Sequence, residues 1–277
     1  MFASIPPPYG GSIIEWGSGS RATGKTGNPS DDARRRILSV RCNPLFLCDW
    51  QRAVFIHYEV EPNILQREVP FELDLHEGRA YLSLVAFTMR DMRPRWGGRA
   101  SAMLFKPIAS HGFLNVRAYV KHGGETGIYF LAEWLPNRLS LLLGPRVFGL
   151  PYKDGSPDYR HQHEEGILSG TVRGKNSLSL EYSATINPGE SFRPCDQGSR
   201  DEFLLERYTA FTARGLRRRK FRIWHPPWPQ AAIEAAIKDD RLLRQTWPWF
   251  RDARMVGGNY SPGFRDVWMG RPQNLWF

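Results

Sequence analysis

Residues 115–153 read NVRAYVKHGGETGIYFLAEWLPNRLSLLLGPRVFGLPYK. Two runs of strand-like residues, 113–121 and 127–134, flank His122-Gly123-Gly124-Glu125, which predicts a β-hairpin. Asn137 is placed to cap a short helix through Leu143, with Gly144-Pro145 as its stop. Along the first strand, Asn115, Arg117 and Tyr119 share one face, and Val116, Ala118 and Val120 share the other. A polar face on an interior strand implies a wet cavity. Glu133, on the partner strand, joins that face if the hairpin pairs it with Asn115. A slip of one residue points it away.

Working outward, residues 54–60 alternate with the period of a strand, and 62–69 read as a short helix ending before Pro70. The run 79–90 is apolar on both parities, as in a strand buried on two faces. Residues 93–107 are basic and contain Gly97-Gly98, which suggests a long loop or lid. Residues 167–173 and 177–187 form a second predicted hairpin. Ser199 and Glu202 make a capping box for a helix over about 200–212, followed by a strand at 217–224. His225-Pro226-Pro227-Trp228-Pro229 reads as a rigid corner before a helix over 230–245, with Glu234 and Lys238 as an i,i+4 pair. The segment 247–277 is aromatic and glycine-rich without clear periodicity. Many short strands with a few helices imply an α+β, β-rich fold, a barrel or sandwich with three or four short helices packed at its ends. The expected organisation is a flexible tail over 1–42, one domain over 43–250 and a C-terminal extension over 251–277.

The chain has 277 residues and a formal net charge of +10, with seven lysines among its 38 basic residues. Arginine suits phosphate geometry, so a polyanion partner is one reading and a general taste for arginine the other. The basic runs at 34–36, 90–99 and 214–222 lie far apart, and no nucleic-acid-binding motif surrounds them. Nucleic acid is therefore the least favoured partner. Cys42, Cys48 and Cys195 form an odd set without CxxC spacing, which fits a reducing, cytoplasmic setting and argues against a cysteine zinc site. No apolar run approaches the ~18 residues of a membrane span. The N-terminal residues lack the basic and apolar regions of a signal peptide. A homo-oligomer is compatible with these features.

Residues 19–26, GSRATGKT, match the phosphate-loop pattern GxxxxGK[ST], and 12–16 read as a strand before it. Such a loop works by running straight into a helix whose N-terminus faces the phosphates. Here Gly27-Asn28-Pro29 interrupts that step, and 31–36 offer no apolar face to a sheet. The match is read as a coincidence in a Gly/Ser/Pro-rich tail.

The motifs NVRAYV, GIYFL, FGLPYK, DEFLLERYTAF and HPPWPQA, in this order across residues 49–237, resemble the bacterial domain of unknown function 2071 family. That family belongs to the acetoacetate decarboxylase-like superfamily. The resemblance implies a closed or cone-like antiparallel β-barrel around a small-molecule cavity. The decarboxylase relatives form a Schiff base on a lysine whose pKa a neighbouring lysine and a dry pocket depress. Aligning Gly144 and Pro151 with the relatives' glycine and proline puts Tyr152 at the nucleophile position and Lys153 at the second lysine. A phenol forms no imine. The acidic position of the relatives falls on Asn115, and their arginine falls near Gln51-Arg52 without a clean match. Schiff-base decarboxylation is therefore not expected.

These residues point to a small carboxylate or carbonyl ligand in a barrel cavity, with a non-catalytic barrel as the rival reading. The candidate catalytic residues are Tyr152 and Lys153, which would polarise a carbonyl. Tyr152 would serve as an acid if Lys153 or Arg117 lowers its pKa, and is otherwise a wall residue. The candidate ligand-binding residues are Asn115, Arg117, Glu133 and His225. Arg117 is a carboxylate clamp or, alternatively, the partner of Glu133 in an ion pair on an exposed sheet face. His225 is a proton carrier near neutral pH or a packing device in its corner. His161 and His163 have a spacing used for metals, but their flanks look solvated and no third ligand is fixed, so neither metal nor cofactor is expected.

Overall fold

A computed structural model of the protein describes residues 28–275. Helix α1 (Pro29–Leu38) precedes strand β1 (Phe46–Val60), helix α2 (Pro62–Glu68), β2 (Glu72–Leu73) and β3 (Ala80–Pro94). Then come α3 (Gly98–Phe105), β4 (His111–His122), β5 (Glu125–Leu135), α4 (Arg138–Val147), β6 (Tyr152–Asp154) and β7 (Ser156–Gln162). Strands β8 (Ile167–Arg173) and β9 (Ser179–Thr185) lead to α5 (Arg200–Leu205), β10 (Thr209–Arg214) and β11 (Arg217–Trp224). The chain finishes with β12 (Ala231–Asp239), α6 (Arg241–Thr246), β13 (Arg254–Met269) and β14 (Gln273–Leu275).

The strands form one sheet, in which β11, β10, β5, β4, β3, β1 and β13 are successive neighbours. Strand β11 also pairs with β13, at Ile223↔Met269 and Trp224↔Trp268, so this path returns on itself as a ring. From β13 the sheet continues through β12, β9, β8 and β7. Period-2 alternation divides the apolar side chains between two cores. Val54, Ile56 and Tyr58 of β1 and Leu114, Val116 and Ala118 of β4 enter one core. Phe55 of β1 with Phe113 and Tyr119 of β4 enter the other. Burial on both faces explains why β3 reads as a continuous apolar run. No helix among the described residues is long and apolar enough to cross a membrane.

Several expectations are corrected. Residues 231–239 are a strand, not a helix. Ala231 and Ile233 are buried on one parity, and the run pairs with β13 and then β9. Sheet pairing outweighs the helix propensity of Ala, Glu and Lys, which amounts to only tenths of a kcal/mol per residue. The helix begun by Ser199 stops at Leu205, because Thr209–Arg214 pairs with β11 and, in parallel, with β5. Helix α4 runs through Gly144-Pro145 to Val147. The basic segment 93–107 is the end of β3, helix α3 and a 3-10 turn at Lys106–Ile108.

At the N-terminus, α1 does have an apolar stripe: Ala33 and Ile37, one turn apart, are buried, and the helix packs against β11. This brings the arginines of 34–36 next to those of 214–222, with Arg222 Nη1 donating to the Arg36 carbonyl at 3.2 Å. The phosphate-loop match at 19–26 and the strand expected at 12–16 lie outside the described residues.

The segment 251–277 contains β13, which pairs with β1 from Phe46↔Met269 to Glu59↔Arg254. Removing residues 253–277 is expected to abolish the cooperative urea transition, since β1 loses one neighbour along its length and the ring opens. An unchanged midpoint by circular dichroism would show that these residues are dispensable.

Candidate functional site

The hairpin of β4 and β5 builds one wall of a cavity of about 70 Å³. Its register pairs Asn115 with Glu133, and a bulge between Val116 and Arg117 sets Arg117 opposite Phe130. Asn115, Arg117 and Glu133 all line the cavity, each at least nine-tenths buried. Strand β6 lies parallel to β5 with Tyr152 beside Glu133 and Lys153 beside Trp134. Adjacent strand residues face opposite ways. Tyr152 therefore lines the cavity, while Lys153 Nζ lies over the Trp134 and Trp247 rings at 5.2 and 5.4 Å. The structure thus corrects the pairing of Tyr152 with Lys153, which do not converge. Gly144 of α4 permits this arrangement: a Cβ there would stand 2.1 Å from the Tyr152 ring.

The ion pair of Arg117 with Glu133, the alternative to a carboxylate clamp, does not form. Arg117 Nη2 donates to the Leu204 carbonyl at 2.8 Å, and its guanidinium lies over Phe55 and Tyr119. Arg117 Nε, Asn115 Oδ1 and Glu133 Oε2 have no hydrogen-bond partner among the described residues. Leaving a buried polar atom unpaired costs about 1–3 kcal/mol. All three atoms belong to residues that line this one small cavity.

Burial sets the protonation. Desolvation raises the Glu133 pKa well above the ordinary carboxylate range, which favours the neutral acid. Desolvation also raises Tyr152, with the neighbouring Glu133 as a secondary cause. That overturns the idea that a nearby cation lowers the Tyr152 pKa; the hydroxyl keeps its proton. His225 lines the cavity, but burial lowers its pKa to about 4. Its ring packs among Tyr208, Trp228 and Phe264 at 4.7, 5.2 and 5.1 Å, so it is neutral at pH 7 rather than a proton carrier.

Two features escaped the sequence reading. Arg207 lines the cavity, donating to Asp74 Oδ2 and to the Phe203 carbonyl, both at 2.6 Å. It sits inside the motif DEFLLERYTAF, so its position was available although its partner was not. Behind Arg117, His57 bridges Ser83 Oγ at 2.7 Å and Asn259 Oδ1 at 2.9 Å. Ser83 Oγ in turn meets Tyr119 Oη, which reaches the same Leu204 carbonyl that Arg117 holds.

The histidines considered for a metal do not converge. His161 is buried in β7 between the Arg52 carbonyl and Tyr182 Oη, at 2.6 and 2.7 Å. His163 lies in the following turn and meets Tyr260 Oη at 2.9 Å. Among the described residues, no three His, Cys, Asp or Glu side chains cluster to hold a metal.

Comparison with known proteins agrees with this geometry. The acetoacetate decarboxylase of Legionella pneumophila superposes with a TM-score of 0.60 at 14% identity, over 84% of this chain and 87% of that one. An acetoacetate decarboxylase-like enzyme of Sphingomonas wittichii RW1 gives 0.59 at 19% identity, over 84% and 94%. The enduracididine biosynthesis enzyme MppR complexed with pyruvate gives 0.59 at 13% identity, over 86% and 93%. Identities this low establish a shared acetoacetate decarboxylase-like fold and no more. The uncharacterized protein YqjF of Bacillus subtilis (strain 168) is 29% identical over 195 residues, which is 68% of this chain and 76% of YqjF. The family model of domain of unknown function 2071, described as an uncharacterized conserved protein, matches residues 48–252, and the chain belongs to that family.

Proposed function

We propose that the protein binds a small carboxylate bearing a carbonyl group, inside a closed barrel formed by the strand ring, without lysine Schiff-base chemistry. The observation that carries this is the buried Arg117 guanidinium, which among the described residues has no carboxylate at ion-pair distance and an unpaired Nε, beside the unpaired Asn115 Oδ1 and Glu133 Oε2. An uncompensated buried charge costs several kcal/mol. A ligand carboxylate on Arg117 removes that cost and satisfies Nε. The neutral Glu133 acid and the Tyr152 phenol then donate to the carbonyl oxygen, and Asn115 Oδ1 accepts from a ligand hydroxyl or enol.

Size narrows the ligand. A cavity of about 70 Å³ suits a small head group rather than a nucleotide. The pyruvate complex of the structurally similar MppR supports a 2-oxo acid in this place. Among the described residues no lysine lines the cavity, which supports binding and polarisation over imine formation.

Short 2-oxo and 3-oxo acids are expected to raise the melting temperature of the protein. In Arg117→Ala that ligand-induced rise should disappear, with affinity lower by about ten- to a hundredfold, the worth of a charged hydrogen bond. A rise retained in the variant would show that Arg117 does not hold the carboxylate.

A further inference from the structure

Beside the polar cavity lies a second, apolar one of about 160 Å³. The two share Met89, Phe113, Leu150, Tyr152 and Met269, so a single layer of side chains parts them. Two of those five are methionines, whose unbranched side chains move aside readily. The far wall of the second cavity comes from α4 and from the segment of α3 and the turn after it. Leu143 and Val147 of α4 line it and are 39% and 46% exposed, so it reaches the surface there. Leu104 and Met103 of α3 and Leu142 of α4 are also exposed. The wall carries no charge: its one titratable base, His111, is held neutral by burial, which lowers its pKa to about 4.

We propose that the ligand is amphiphilic, its carboxylate and carbonyl held at Arg117 and Glu133 and a linear apolar tail laid past Tyr152 into the second cavity. This rests on the reading of the polar cavity given above. The second cavity's volume of about 160 Å³ leaves room for a chain of several methylenes. The substrate class is thus a medium-chain oxo acid rather than a three-carbon one. Charged tails are excluded, because the wall has no counter-ion for them. The side chain of Tyr152 stands at the junction, where it touches both the carbonyl and the start of the tail.

The test is a calorimetric titration with straight-chain 2-oxo acids from three to ten carbons, on the full chain and on Val147→Trp and Arg117→Ala. Val147 is half exposed, so a tryptophan there narrows the apolar cavity from its rim. Each added methylene is expected to tighten binding about fourfold, with a plateau once the cavity is full. In Val147→Trp the chain-length dependence should flatten while pyruvate binds as in the parent, which also shows that the variant is folded. Pyruvate binding that depends on Arg117 with no gain on lengthening would overturn the amphiphile and leave the head-group site standing. Gain on lengthening that Arg117→Ala does not affect would instead overturn the head-group reading. Chain-length dependence unchanged in Val147→Trp would overturn the tail's placement.

Discussion

Stability should fall steeply as pH drops from 6.5 towards 4.5, driven chiefly by three fully buried histidines, with the less buried His111 adding in the same direction. His57, His161 and His225 are each nearly inaccessible to solvent. Desolvation lowers their pKa values to about 3, 4 and 4. In the unfolded chain each titrates near 6.5. Below that value the unfolded state binds protons that the folded state does not, so stability is present above pH 6.5 and is lost as pH falls towards the folded values. At pH 4.5 each histidine contributes a loss of about 2–3 kcal/mol, or about 7 kcal/mol together. A domain of this kind has only about 5–15 kcal/mol in total. Urea midpoints followed by tryptophan fluorescence at pH 7, 6, 5 and 4.5 would measure it. A midpoint that does not move across this range would mean that these imidazoles are not held neutral by burial.

The second large effect runs in the opposite direction and comes from Glu133. Its folded pKa is raised, again by desolvation, so between about pH 4.5 and the folded value the unfolded chain releases a proton that the folded chain keeps. Stability then declines as pH rises, by about 1.4 kcal/mol per unit. Glu133→Gln mimics the neutral acid at every pH and removes that decline. The variant is expected to match the parent at pH 4.5 and to exceed it by about 1.4 kcal/mol for each further unit, until the folded carboxyl ionises. The comparison is made by urea titration of the two proteins side by side. Parallel pH profiles would mean that Glu133 ionises normally in the fold. A carboxyl that costs stability at neutral pH, where glutamine would not, fits a position held for its chemistry with a ligand. The same effect partly offsets the histidine loss in the parent, so acid sensitivity should be sharper in Glu133→Gln.

The hairpin of β4 and β5 was legible because two strand-like runs flank a Gly-Gly turn, but its register at the cavity was not. The turn's offset, held from His122↔Glu125 to Arg117↔Phe130, would set Asn115 opposite Ala132, and only the bulge at Leu131 moves Glu133 into that place. Tyr152 and Lys153 parted company for a reason also present in the sequence. Neighbours in a strand face opposite ways, so only one of them can enter the cavity, but which one depends on the pairing of β6 with β5. The helix expected at 230–245 failed because strands β9 and β13, one before it in the chain and one after, flank that segment. Local propensity carries no information about such partners. The choice between the two readings of Arg117 was equally non-local: the Leu204 carbonyl, 87 residues away, takes the guanidinium instead of Glu133.

By itself, the sequence determined the family motifs, the alternation that divides β1 and β4 between two cores, and the candidacy of Asn115, Arg117, Glu133, Tyr152 and His225. These depend on residue type and on a period of two, both local. The tertiary structure alone decided that Lys153 leaves the cavity, that Arg207 and the second cavity adjoin it, and that burial favours the neutral forms of Glu133 and His225. Neutrality follows from desolvation, and desolvation at one residue is the summed effect of segments that only folding brings around it.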